Sequence, residues 1–368
     1  MNTPFSINND DIVSTALKSK SITSDQVKQI LSKESFSLQD LPILLSPAAA
    51  EHIETIAALA NTLSKKRFGN TIQLFVPMYL SNLCYNKCTY CDFSIDNKVK
   101  RIVLSDEKIV EEAKLLSKKG FKHILLLTGE AEPTVGPAYI SNAIKLMSPY
   151  FSSVGIEVQP LTKEGYQQVF EAGCDSITLY QETYHEEAYK KFHVSGKKKH
   201  YAKRLEAAEI SASVGFHKMQ IGALLGLYDW HYEAFSLAQH LSFMKKKYWK
   251  TKFGISFNRI KDISSGFKPD YPLSDMELVQ LITSFRLVFP DVGISMSTRE
   301  PASLRTNLIP LGITQMSAES KTSPGGYSGE SELEQFSISD ESSISAVIQS
   351  IKSKGYDPVF KDWDLCMT

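Results

Sequence analysis

Residues 71–93 read TIQLFVPMYLSNLCYNKCTYCDF. The apolar run Ile72 to Met78 suits a strand, and it empties into a polar loop that carries Cys84, Cys88 and Cys91. Outward from this stretch, short apolar runs alternate with longer runs of helical period. The strand pattern falls at 72–78, 123–128, 155–160, 176–180, 218–223, 253–257, 293–297 and 313–316. Helical stretches lie near 105–119, 138–149, 163–172, 199–213, 231–247, 274–288 and 301–308. Eight strands and seven intervening helices predict an α/β protein built as a (βα)8 TIM-type barrel, here residues 71–323. Residues 1–70 predict a helical extension: Thr23, Ser24 and Asp25 offer caps ahead of Val27, Ile30 and Leu31, and 48–66 is a longer amphipathic run. Residues 324–368 open on Pro324-Gly325-Gly326, pass through a Ser/Glu-rich stretch and reach a helix near 342–354, which reads as a loop and tail packing on the barrel.

Composition narrows the function. Hydrophobic residues at 42% and charged residues at 22% exclude a disordered or collagen-like chain. Lys+Arg and Asp+Glu both number 41, so no net field draws the protein to nucleic acid or to an anionic membrane, and the expected partner is a small molecule or another protein. The first residues lack the basic and apolar plan of a secretory signal, and no window reaches the ~18 to 20 apolar residues of a membrane span. Five cysteines, three of them crowded into 84–91, point to metal chemistry in the reducing cytoplasm rather than to disulfides.

Three thiolates on one loop suit a four-iron, four-sulfur cluster with one iron left open, and S-adenosylmethionine (SAM) can chelate that iron through its amino and carboxylate groups. A structural zinc site is the alternative, although zinc wants four closed ligands and no second cysteine pair exists here. The loop follows the first strand, which places it at the face where such barrels keep their chemistry. Other polar positions cluster at strand ends. Glu130 follows the second strand. Glu157 and Gln159 alternate on the third and so share its inward face, where they need partners such as a ligand. Arg204 offers a bidentate fork for a carboxylate, and Arg299 follows the seventh strand.

Cys-x3-Cys-x-Tyr90-Cys is the motif of the radical SAM superfamily, which this chain resembles. Gln181-Glu182-Thr183-Tyr184-His185, Ser297-Thr298-Arg299-Glu300, Ser317 through Thr322 and Pro324 through Tyr327 resemble its aromatic amino acid lyase branch, above all the tyrosine lyases of thiamine thiazole biosynthesis. The similarity runs from about 70 to 330 and resumes at Lys361-Asp362-Trp363-Asp364. The resemblance implies that Tyr90 lies beside adenine, that Glu130, Glu157, Gln159 and Arg204 surround SAM, and that Arg299 binds the substrate carboxylate with Ser317, or Ser320 in its place, as a second donor. It also implies an electron from flavodoxin or ferredoxin, and cleavage of the Cα–Cβ bond of L-tyrosine into p-cresol and 2-iminoacetate (dehydroglycine). A thiazole synthase complex would receive that unstable imine.

Rival readings remain. A tyrosine lyase of hydrogenase cofactor assembly needs three further C-terminal cysteines, whereas only Cys366 follows Cys174. A tryptophan lyase would differ in pocket shape. An RNA-modifying radical SAM enzyme should add a basic domain, which is not seen. Cys174 reads as a core thiol, Cys366 as a tail residue, and the runs 197–199 and 245–247 as solvated lysines. Neither His185 nor His193 is singled out as a proton shuttle, and no residue is assigned to exchange the phenol proton.

Overall fold

The computed structural model describes residues 4–260, 266–329 and 334–361. Eight parallel strands follow one another in the order of the chain: β1 Thr71–Ser81, β2 His123–Thr128, β3 Ser153–Glu157, β4 Ser176–Glu182, β5 Lys218–Leu225, β6 Lys252–Arg259, β7 Gly293–Met296 and β8 Gln315–Ser317. β8 returns to β1 through the pairs Gln73–Gln315, Leu74–Met316 and Phe75–Ser317, which closes the barrel. Each predicted strand run has its counterpart. The period of two is visible on β1: Ile72, Leu74, Val76 and Met78 are fully buried outward, while Gln73, Phe75, Pro77 and Tyr79 line the interior. Helices Asp106–Lys118, Lys163–Glu171 and Asp275–Val288 begin at Ser105, Thr162 and Ser274, whose hydroxyls accept from the backbone N–H three residues on.

Several boundaries differ from expectation for identifiable reasons. β3 stops at Glu157 rather than at 160, because Gln159 turns aside to donate to the Val135 carbonyl (2.9 Å) and Pro160 has no N–H to give. Gln159 therefore does not share the inward face with Glu157, and it is absent from the cavity lining. The run 48–66 breaks into Pro47–Ala50 and Ile53–Phe68, with His52 between them sharing a hydrogen bond with Ser24. Thr23 does cap the helix Ser24–Leu31, in a reciprocal box with Gln26.

Four short elements carry no sequence signal of their own. Lys87–Cys88 pairs antiparallel with His193–Ser195, and the helix Glu186–Phe192 leads into that pairing. Asp357–Val359 lies beside the first residues of β1. The C-terminal segment is tied to the barrel by polar contacts: Tyr327 N and Ser328 N donate to buried Glu112, Tyr327 Oη donates to the Pro77 carbonyl, and Arg305 pairs with Asp340 in the interior. Among the described residues no helix is long and apolar enough to cross a membrane. Cys366 and 362–364 lie outside the described residues.

Candidate active site

The cysteine loop is held open by side chains that grip its backbone. Arg101 donates to the carbonyls of Asn82, Phe93, Ser94 and Asn97, and the Asn82 side chain bridges Lys100 O and Ile102 N. The far side of the loop rests on the end of β2, where Tyr85 N donates to Glu130 O. Gly129 is required there: a Cβ would lie 2.2 Å from Leu83 O and 3.1 Å from Cys84 Cβ. The strip Lys87–Cys88 is pinned by His193–Ser195, and Gly196, with φ at 88°, lets that strand pass against Asn86. Burial pushes the Cys91 thiol up to about 11, with the nearby Cys84 adding to the rise, and Cys88 is raised further by its own burial.

Glu130 and Arg204 meet each other. Arg204 Nη1 lies 2.9 Å from Glu130 Oε1, its Nη2 lies 3.2 Å from Glu182 Oε1, and its Nε donates to the Tyr180 carbonyl. Lys198 completes the group at 2.8 Å from Glu182. Two acids and two bases thus neutralise one another in a buried cluster. Burial alone would raise the Glu182 carboxyl, yet Lys198 and Arg204 draw it down to about 2. Glu182 adopts φ of 70° at the bulge that ends β4, a costly conformation held by these contacts. Lys198 corrects the reading of 197–199 as solvated: its side chain is 14% exposed, against 80% for Lys197.

Tyr90 packs edge-on to His193 and Phe267, and its hydroxyl donates to His193 Nε2 (2.6 Å). His193 Nδ1 in turn donates to Tyr189 O, and burial lowers the imidazole to about 3, so it stays neutral and able to accept. His185 has a structural task, capping the helix Glu186–Phe192 and stacking on Tyr228. Cys174 is a buried core thiol donating to Ser176 O.

A cavity of about 790 Å³ fills the barrel, with Tyr79, Glu157, Tyr180, Arg299, Ser317, Ser320 and Gln335 in its lining. That is room for small molecules. The turn bearing Arg299 is fixed by Thr298 N donating to Ser317 Oγ (3.2 Å) and by the pairing of Glu300 with Arg259. Arg299 places its guanidinium 3.4 Å over the Phe336 ring, and no carboxylate pairs with it among the described residues. Ser320 donates to Ser317, so the two hydroxyls act together rather than as rivals. Burial raises Glu157 to about 7, with Glu182 adding to the rise and Arg299 opposing it.

The donor set fits an iron–sulfur cube. Cys88 and Cys91, whose thiols resist ionisation through burial and the charge of neighbouring cysteines, need a strongly cationic partner, which reverses that penalty. Among the described residues no three His, Cys, Asp or Glu side chains converge on the position of a single metal ion, as structural zinc would require, whereas a cube offers each thiolate a different iron. Buried Thr128 Oγ1, at the end of β2 beside the loop, also has no protein partner.

The model of the radical SAM superfamily matches residues 78–237, and that of the Biotin and Thiamin Synthesis associated domain matches 256–357. The 2-iminoacetate synthase of Salmonella typhimurium is 42% identical over 93% of this chain and 91% of its own length. The chain belongs to the 2-iminoacetate synthase family of radical SAM enzymes. The Escherichia coli member is 40% identical over the same shares. Among solved structures, that of HydG, a maturase of the [FeFe]-hydrogenase, superposes with a TM-score of 0.92 at 28% identity, covering 98% of this chain and 81% of HydG. The chain is accordingly a radical SAM lyase of thiamine synthesis, on a (βα)8 barrel. The sequence pointed to the family's cysteines and took in Glu182 with its neighbours at the end of β4, but it did not single out Lys198 or Gln335, which the fold brings beside them. The only signal for Glu182 was its place in the run 181–185.

Proposed function

We propose that this enzyme cleaves the Cα–Cβ bond of L-tyrosine, releasing p-cresol and 2-iminoacetate for the thiazole of thiamine, in the cytoplasm. The observation that carries the reading is a single barrel cavity that joins Gln335, which touches Cys91, to Glu157 and to the carboxylate-free Arg299. Cys84, Cys88 and Cys91 would hold a [4Fe-4S] cluster. When bound there and reduced by flavodoxin or ferredoxin, it would supply the electron for cleaving SAM into methionine and the 5'-deoxyadenosyl radical that takes hydrogen from the substrate. Tyr90 presents its ring to the adenine. Glu130 and Arg204, held as a pair by Glu182 and Lys198, face the SAM amine and carboxylate, and Glu157 contributes from the end of β3. Arg299 binds the amino acid carboxylate, with Ser317 and Ser320 as further donors. Residues 335–336 cover the cavity beside the cysteine loop while these groups hold the reactants at attack distance. Residues 71–323 form the catalytic body, with 1–70 and 324–368 as extensions.

The test is anaerobic. Reconstituted protein, tyrosine, SAM and dithionite should give 5'-deoxyadenosine and p-cresol together, and alanine at any of the three cysteines should abolish both. An indole product from tryptophan with none from tyrosine would move the substrate assignment, and SAM cleavage without p-cresol would remove it. Because the imine hydrolyses, the enzyme should cross-link to the thiazole synthase complex during turnover, and no contact would count against that partnership.

A further inference from the structure

Gln335 belongs to the C-terminal segment, far in sequence from the cysteine loop, yet it is stitched to that loop on two sides. Its backbone carbonyl accepts from Asp92 N at 3.2 Å, and its side-chain Nε2 points at Cys91 Sγ at 3.7 Å. The amide is oriented by a second contact, because Tyr79 Oη donates to Gln335 Oε1 at 2.6 Å and so leaves the NH2 group facing the sulfur. Its own N–H donates to Thr322 O, and Thr322 Oγ1 donates to the carbonyl of Phe336, the residue whose ring lies under Arg299. The dipeptide 335–336 therefore touches the metal-binding loop, the end of β1 and the arginine of the pocket together.

We infer that Gln335 is a positioning residue of the metal centre, whose side-chain N–H donates to the Cys91 sulfur and raises the reduction potential of the cluster. The inference rests on the proposed cluster at Cys84, Cys88 and Cys91. A donor to a ligating thiolate withdraws negative charge, which favours the more negatively charged reduced state. Gln335 thus works through Cys91 and eases entry of the electron that SAM cleavage needs.

The experiment is a potentiometric titration of the reconstituted full chain, followed by electron paramagnetic resonance. Gln335→Ala should lower the midpoint potential, and Gln335→Glu should lower it further, because its carboxylate still accepts from Tyr79 but sets an acceptor and a negative charge against the sulfur. Tyr79→Phe, which frees the amide to rotate, should give a smaller fall. A structural role alone would give the opposite sign, since opening the loop to water stabilises the reduced cluster and raises the potential. Unchanged or raised potentials in both Gln335 variants would overturn the assignment. Should the variants take up no iron, labelling of the metal-free proteins with iodoacetamide decides. Cys91 should react several-fold faster in Gln335→Ala than in the unsubstituted chain, relative to Cys84, and equal rates would refute the contact. A failure of the unsubstituted protein to build any cluster would instead fall on the proposed function and leave the labelling result standing.

Discussion

Glu157 and Arg299 face one space with opposite charge, but Glu157 is far enough from bulk water that its ionised form is costly. Its carboxyl rises from 4.5 in the unfolded chain to about 7 in the fold. The folded state therefore holds the proton more tightly, and the contribution of Glu157 to stability is fullest below pH 4.5 and is lost as pH climbs through about 7. The displacement corresponds to about 3 kcal/mol. Glu157→Gln removes that cost, so the metal-free variant should resist urea better than the parent at pH 8 and equally at pH 4.5. Urea melts at both pH values check this, and an equal offset at both would contradict it. At this scale the sequence was legible wherever one residue type implied one chemistry, as for the cysteines and Arg299. It was opaque where partners converge from separate elements. Nothing near Lys198 in the chain announces Glu182, and their meeting depends on how the strip 193–195 folds back onto the cysteine loop.

The barrel strands were readable because burial on one face imposes a period of two, and the helices because capping hydroxyls precede apolar stripes. The pairing of Lys87–Cys88 with His193–Ser195 was not readable, since two or three residues cannot show a period. These small pieces nonetheless shape the cysteine loop, which rests on β2 where Gly129 allows close approach. In Gly129→Ala the new methyl would strike the Leu83 carbonyl, so the loop must shift away from β2. Iron bound per chain should fall and SAM cleavage should drop by roughly tenfold or more, while the thermal midpoint stays close to that of the parent, because the clash is local. Iron assay and calorimetry on one preparation separate the two effects. A large thermal loss with normal iron content would contradict this account.

Across the whole molecule, the C-terminal segment is less a tail than a second fastening of the barrel. Arg305 is 1% exposed, and its charge is met by Asp340 and by the Ser317 carbonyl. Asp340→Ala strands that charge at a cost of about 3 to 5 kcal/mol, which lowers Tm by roughly 4 to 6 °C in a chain of this size. Adding Arg305→Met should restore most of it, and differential scanning calorimetry of the single and double variants checks both. The expectation of a loop and helix packing on the barrel was legible from composition. The ion pair was not, because it joins a residue after β7 to one inside the Ser/Glu-rich stretch. The first strand of the barrel is paired along one edge by β8 and at its beginning by Asp357–Val359. β2 pairs the far part of β1 through Val76–Ser81, whereas these partners of its first residues come much later in the chain, so a nascent chain holds the beginning of β1 unpaired long after β2 is made. Closure is then a late event, and until it comes that open edge is a site where one polypeptide can pair with another.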